Sequence, residues 1–125
     1  MFTFPFERKP IPILADDVQT LHDYAEGVMT RAGHHAPQIS AIALAILGGI
    51  IWRVEPGSIE IKQYDGDLAN VLWWTSGATA RRYACAYNHN TGEIEIRDRS
   101  IRGQVLHSFT NATPVAGVEQ IFSTL

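Results

Sequence analysis

Cysteine is almost absent from this chain. Cys85 stands alone, so no internal disulfide can staple the fold, and a reducing setting, the cytoplasm, is expected. Long apolar runs are also missing. The longest, Ala41 to Trp52, contains Gly48-Gly49 and falls short of the roughly 20 residues that span a bilayer, so no membrane role is expected. Met1-Phe2-Thr3-Phe4-Pro5-Phe6 lacks the charged start and continuous apolar stretch of a secretory signal. There is no basic excess: 10 Lys and Arg face 13 Asp and Glu. That balance argues against a phosphate-tracking surface, and no nucleic-acid partner is expected. Motifs that carry chemistry are missing too. No paired cysteines, no His-x-x-x-His spacing and no glycine-rich phosphate loop occur, so neither a metal nor a cofactor is expected.

What remains is a chain of 125 residues with ordinary hydrophobic content, enough for one domain, 1–125, with a sizeable core. Residues 1–14 hold Pro5, Pro10 and Pro12 and alternate Phe2, Phe4 and Phe6, which predicts an extended arm lying on the domain or on a neighbouring subunit. A first helix is expected from Asp16 as N-cap, with a stripe of Val18, Leu21, Ala25, Val28, Met29 and Ala32, and a stop at Gly33. A second helix is expected to begin with Pro37 and to be apolar nearly all round, hence buried on most sides, until Gly48-Gly49 breaks it. Ile50 to Val54 then reads as a short strand or an extended exit.

From residue 58 the period becomes two. Strands are expected at about 58–64, 70–76, 81–89, 93–98 and 104–110, separated by Asp65-Gly66-Asp67, Gly77, Asn90-Thr91-Gly92 and Gly103. Short connections imply an antiparallel meander. A closing helix follows Thr113-Pro114, with Val115, Val118, Phe122 and Leu125 buried. The fold class is α+β: two N-terminal helices, a five- or six-stranded antiparallel meander sheet and a C-terminal helix, with the helices on one sheet face.

The hairpin around Asn90-Thr91-Gly92 carries the functional reading. A three-residue loop ending in Gly fits a type I turn with a bulge. It would set Tyr87 opposite Glu95, Cys85 opposite Arg97 and Tyr83 opposite Arg99. Ala84, Ala86, Ile94 and Ile96 would then face the helices, joined by Val105, His107 and Phe109. Tyr83, Cys85, Tyr87 and Arg97 would face outward, with one of the sequential pair Trp73 and Trp74 beside them. Tyr, Trp and Arg together are enriched at interfaces. Tyr83, Tyr87, Arg97, Trp73 and Trp74 are therefore the candidate ligand or partner face.

Catalytic alternatives are weaker. Cys85 and His89 share a strand face but lie about 13 Å apart along it, at roughly 3.3 Å per residue, which is too far for a nucleophile and its base. His34-His35 at the end of the first helix fits a dipole-complementing role better than metal binding. An acid–base pair, if present, is best sought in His107 and Asp98.

The stretch Tyr87-Asn88-His89-Asn90-Thr91-Gly92-Glu93-Ile94-Glu95-Ile96-Arg97, then Gly103-Gln104-Val105-Leu106-His107-Ser108-Phe109-Thr110-Asn111-Ala112-Thr113-Pro114 and the closing Val118, Ile121, Phe122 and Leu125, resembles small proteins carried on bacterial integron gene cassettes. The resemblance covers about the last 40 residues. It implies a compact α+β accessory protein of a bacterial cytoplasm, often homo-oligomeric, and carries over no catalytic residue.

Two functions stay open. One is a non-catalytic homodimer or higher homo-oligomer that binds a small-molecule or protein partner through the aromatic and Arg face. The other is a small isomerase- or hydrolase-like enzyme with a cone-shaped pocket, similar to the nuclear-transport-factor-2 fold. The helix order departs from that fold, because no helix interrupts the strands.

Overall fold

The computed structural model describes residues 11–14, 17–64 and 67–125. Residues 1–10 of the arm expected over 1–14, the Asp16 cap and the Asp65-Gly66 turn fall outside them, and residues 11–14 of that arm are a sheet strand. Strand β1, Ile11–Leu14, is followed by helix α1, Val18–His35, a 3-10 turn over Pro37–Ile39, and helix α2, Ser40–Arg53. Strands β2 (Glu60–Tyr64), β3 (Asp67–Thr75), β4 (Arg82–Asn88), β5 (Glu93–Asp98) and β6 (Val105–Phe109) precede helix α3, Val115–Thr124. The strands form one antiparallel six-stranded sheet in the order β1-β2-β3-β4-β5-β6. This is the expected α+β meander with three helices. Among the described residues no helix is long and apolar enough to cross a membrane.

Local signals explain most boundaries. Asp17 caps α1, its side chain accepting from the Thr20 amide at 2.7 Å; such a cap satisfies an orphan helix donor. The helix passes Gly33 and ends at His35, where the Ala36 amide closes on the Ala32 carbonyl. The start of α2 has no cap of its own. Asn111, beyond β6, supplies one: its Oδ1 accepts from the Ile42 amide at 3.0 Å, and its Nδ2 donates to the Pro37 carbonyl at 2.8 Å.

Two expectations about α2 are corrected. The helix runs through Gly48-Gly49 to Arg53, so Ile50 to Arg53 is helical, and Val54 alone bridges Ser76. Gly49 is there for packing: an added Cβ would lie 2.7 Å from the Phe122 ring. Nor is α2 buried on most sides. Leu44, Ile51 and Trp52 are 61%, 58% and 54% exposed, because the sheet, α1 and α3 leave one flank open. Smaller departures follow the same logic at element ends, where Val18, Val105 and Val115 are exposed.

The core lies between the helices and one sheet face. Ile61, Leu72, Trp74, Tyr83, Cys85 and Ile96 project into it from the sheet, and Ile46, Ile50, Val118 and Phe122 from the helices. Trp74 is central, with ring centroids 5.1 Å from Tyr83 and 6.2 Å from Phe122.

That arrangement corrects the expected hairpin register. Asn88 pairs with Glu93, Tyr87 with Ile94, Cys85 with Ile96, Ala84 with Arg97 and Tyr83 with Asp98. The loop is His89-Asn90-Thr91-Gly92, one residue longer than expected. Asn88 builds it: Oδ1 accepts from the Asn90 amide at 2.9 Å, and the carbonyl accepts from Gly92 at 2.8 Å. A one-residue slip exchanges the faces. Tyr83, Cys85 and Tyr87 therefore lie beneath the helices, and Ala84 and Ala86 on the far side.

Candidate functional site

The expected site residues are split between the two faces. Trp74 and Tyr83 are core, 0% and 1% exposed. Tyr87 is on their side of the sheet, half-buried. Trp73 pairs with Ala84 and Ala84 with Arg97, so Trp73 and Arg97 occupy the opposite face. The expected aromatic and Arg surface is therefore not assembled.

The face opposite the helices is instead a polar ladder. Arg97 donates to Glu95 Oε1 through Nη2 at 2.6 Å and Nε at 3.0 Å, and to the Gly103 carbonyl through Nη1 at 3.2 Å. Asn88 Nδ2 donates to the other Glu95 oxygen at 3.1 Å. Arg82 pairs with Glu60. A buried carboxylate survives only when so satisfied, and this set of bonds leaves little for a ligand to add.

The alternative acid–base pair is not brought together either. Asp98 is held by Arg81 at 3.1 Å, and His107 packs against Phe109, centroids 6.4 Å apart. No hydrogen bond joins them among the described residues. Nor do three His, Cys, Asp or Glu side chains converge there as a metal site would require.

The concavity lies elsewhere, between α1, α2 and the inner face of β3–β5, with a volume of about 400 Å³. Helix α1 lines it with Tyr24, Val28, Arg31, Ala32 and His35. These positions recur every three or four residues and so share one face. Helix α2 and the turn before it contribute Ile39, Ala43, Ile46, Leu47 and Ile50. The sheet contributes Leu72, Cys85, Tyr87 and Ile94, and the hairpin loop His89. Ala32, Ala36 and Ala43 leave the room that larger side chains would fill.

Exposure gives the cavity a direction. His35 and His89 are exposed and mark its mouth, where Tyr87 meets His89 edge to face at 4.8 Å and accepts from Gln38 Nε2 at 2.9 Å. Tyr24, Ile50, Leu72 and Cys85 are buried and form the inner wall. Burial pushes the Cys85 thiol up to about 12. Burial also pushes the Tyr24 phenol far up, with Cys85 adding to the effect and Arg31 opposing it. Both groups are protonated at neutral pH, and among the described residues the cavity lining includes no carboxylate. The inner wall offers surface and hydrogen bonds, and its thiol and phenol both keep their protons, while the imidazoles of His35 and His89 stand at the mouth.

Of the cavity residues, sequence reasoning singled out Tyr87, Cys85, His89 and His35 for other reasons and missed Tyr24 and Arg31. The signal was available. Tyr24, Val28, Arg31 and His35 repeat at helical spacing on a stripe that mixes apolar with hydrogen-bonding side chains, unlike the plain core stripe beside it.

No curated protein matches the chain. A family model, described as integron cassette protein VCH_CASS1 chain, matches residues 21–119. The match spans α1 from Leu21 on, all of α2, strands β2 to β6 and the first half of α3, far more than the C-terminal stretch that carried the resemblance. The chain therefore belongs to the VCH_CASS1 family of integron cassette proteins.

Proposed function

We propose that this chain is a non-catalytic accessory protein of a bacterial cytoplasm, which binds a small, mostly apolar molecule in the cavity between α1, α2 and the sheet. The observation that carries the reading is the cavity itself. Its volume of about 400 Å³ lies in the range of small-molecule sites, and its wall is apolar with a few polar groups. The protonated Cys85 thiol and Tyr24 phenol favour binding over catalysis.

The test is titration with the neutral apolar fluorophore N-phenyl-1-naphthylamine. Saturable fluorescence enhancement is expected, and it should be lost in Ala43→Phe, which fills the cavity, with the thermal transition retained. Equal enhancement in Ala43→Phe would place binding elsewhere.

Self-association is a second reading, favoured by the exposed Leu44, Ile51 and Trp52 on α2. They follow helical spacing with Gly48 between them, an apolar strip with the Arg53 guanidinium over the Trp52 ring at its end, on which a second copy of the chain could lie. Light scattering at rising concentration reads this directly, and Trp52→Lys should shift a dimer towards monomer.

A further inference from the structure

We infer that α2 joins two copies of the chain across a two-fold axis at Gly48, with the two helices antiparallel. This rests on the self-association reading above and gives it a register. The exposed residues of α2 are Ala41, Leu44, Gly48, Ile51 and Trp52. All are apolar, and at about 3.6 residues per turn they share one face with Gly48 near its centre. A helix face turned to water ordinarily carries polar and charged side chains. Leu44, Ile51 and Trp52 are each more than half exposed. With the small residues and the helix ends, roughly 500 Å² per copy would be covered, or about 1,000 Å² for a pair, the lower bound for a specific interface. The association is therefore weak and reversible.

The strip is complementary to itself in one direction only. Reversed about Gly48, it sets Leu44 against the partner's Trp52 and Ala45 against the partner's Ile51, a smaller side chain beside a larger one at each step. Glycine then meets glycine where the backbones cross. An added Cβ on Gly48 would meet nothing within 4 Å in its own chain, so the fold itself does not call for glycine there, and a mid-helix glycine costs about 1 kcal/mol relative to alanine. Close approach of a second backbone supplies the reason. A parallel pair would set Leu44 against Leu44 and Trp52 against Trp52, and the guanidinium that Arg53 holds over the Trp52 ring would meet its like. The antiparallel pair keeps the two Arg53 residues roughly 15 Å apart along the axis, beyond the Debye length. It also brings Glu55, exposed just past the end of α2, beside the partner's Ala41. That helix start has no acidic residue in its first turn, and a carboxylate is favoured beside the positive end of a helix.

The experiment is sedimentation equilibrium of the full chain from about 10 μM to 1 mM, joined to disulfide trapping without denaturant, where buried Cys85 is slow to react. A monomer–dimer equilibrium is expected, and Leu44→Lys should abolish it. Gly48→Cys should form a covalent dimer with itself and Ala41→Cys should not. Helices crossing antiparallel at Gly48 hold the two positions 41 roughly 20 Å apart, and a disulfide spans less than about 7 Å between Cα atoms. Mixed chains carrying Ala45→Cys and Ile51→Cys leave Gly48 in place, and each should link to the other rather than to itself. Glu55→Gln should weaken the dimer about three- to tenfold, because symmetry applies the loss twice. Self-linking of Ala41→Cys, or like-with-like linking in the mixture, overturns the antiparallel register and leaves self-association standing. A dimer that survives Leu44→Lys overturns the assignment to α2. A monomer at every concentration overturns both readings.

Discussion

Gly49 of α2 and Phe122 of α3 are in such close contact that a single added carbon on Gly49 would sit 2.7 Å from the ring. Its neighbour Gly48 has nothing within 4 Å of the same position. Two adjacent glycines in one helix thus answer to different constraints. Gly48→Ala should stabilise the protein by up to about 1 kcal/mol through helix propensity. Gly49→Ala should cost about 1–3 kcal/mol through overpacking. Opposite shifts of the thermal midpoint are expected, and two shifts of the same sign would refute this account of α2–α3 packing.

Cys85 makes stability sensitive to alkali. Burial pushes its folded value up to about 12, above the ordinary thiol value of 9.0. The buried thiol must keep its proton while the unfolded chain gives one up. The native state therefore holds its full advantage below pH ~9 and loses it as pH rises towards ~12. Urea melts between pH 8 and 11 should show a falling midpoint, and Cys85→Ala should flatten that fall, although the smaller side chain lowers stability at neutral pH. A thiol reagent should label Cys85 slowly in the native protein and quickly in urea.

His107 has the opposite dependence. Burial lowers its folded value below 6.5, so the native state binds its proton less readily than the unfolded chain does. That contribution is present above pH ~6.5 and fades as pH falls further. Melts from pH 7 to 5 should show a loss of stability that His107→Gln reduces. An unchanged pH slope would show that the imidazole is equally solvated in both states.

Glu95 depends on its partners. It is 6% exposed, and its oxygens are held by Arg97 and Asn88. Removing Arg97 strands a buried carboxylate, so Arg97→Met should cost about 2 kcal/mol, below the full value of a sealed pair because Arg97 keeps some exposure. The double variant Glu95→Gln with Arg97→Met should cost less than the sum of the single changes. Additive losses would mean that the pair contributes no coupling.

Element order after residue 14 was mostly legible because it rests on local rules, whereas β1 was expected only as part of an extended arm. Period-two alternation located the strands and Gly92 and Gly103 their turns, while Pro37 opens the 3-10 turn ahead of α2 and Pro114 is the N-cap of α3, so neither is the first residue of its α-helix as expected. The face assignment failed because it depended on one loop. Gly92, at φ +74, is compatible with a three- or a four-residue loop. The Asn88 side chain decides between them through bonds to Asn90 and Thr91. Side-chain volume held a counter-signal: Tyr83, Cys85 and Tyr87 with Ile94 and Ile96 fill a core better than two alanines do. The cavity was less legible still. It is bounded by what α1 and α2 leave unfilled, and an empty volume has no residue of its own to mark it. The role of Gly49 was hidden for the same reason, since its partner Phe122 lies on the last helix.

Every strand of the sheet pairs with the one just before or after it along the chain. From β2 to β6 hairpins can thus form one after another, each closing a short loop, while β1 reaches β2 only across α1 and α2, with Leu14 opposite Glu60. The other long-separation closures involve the helices, where Asn111 reaches back to Pro37 and Ile42 and Phe122 meets Gly49. Docking of the helical layer, and with it the shaping of the hollow beneath α1 and α2, is the step that would set the folding rate.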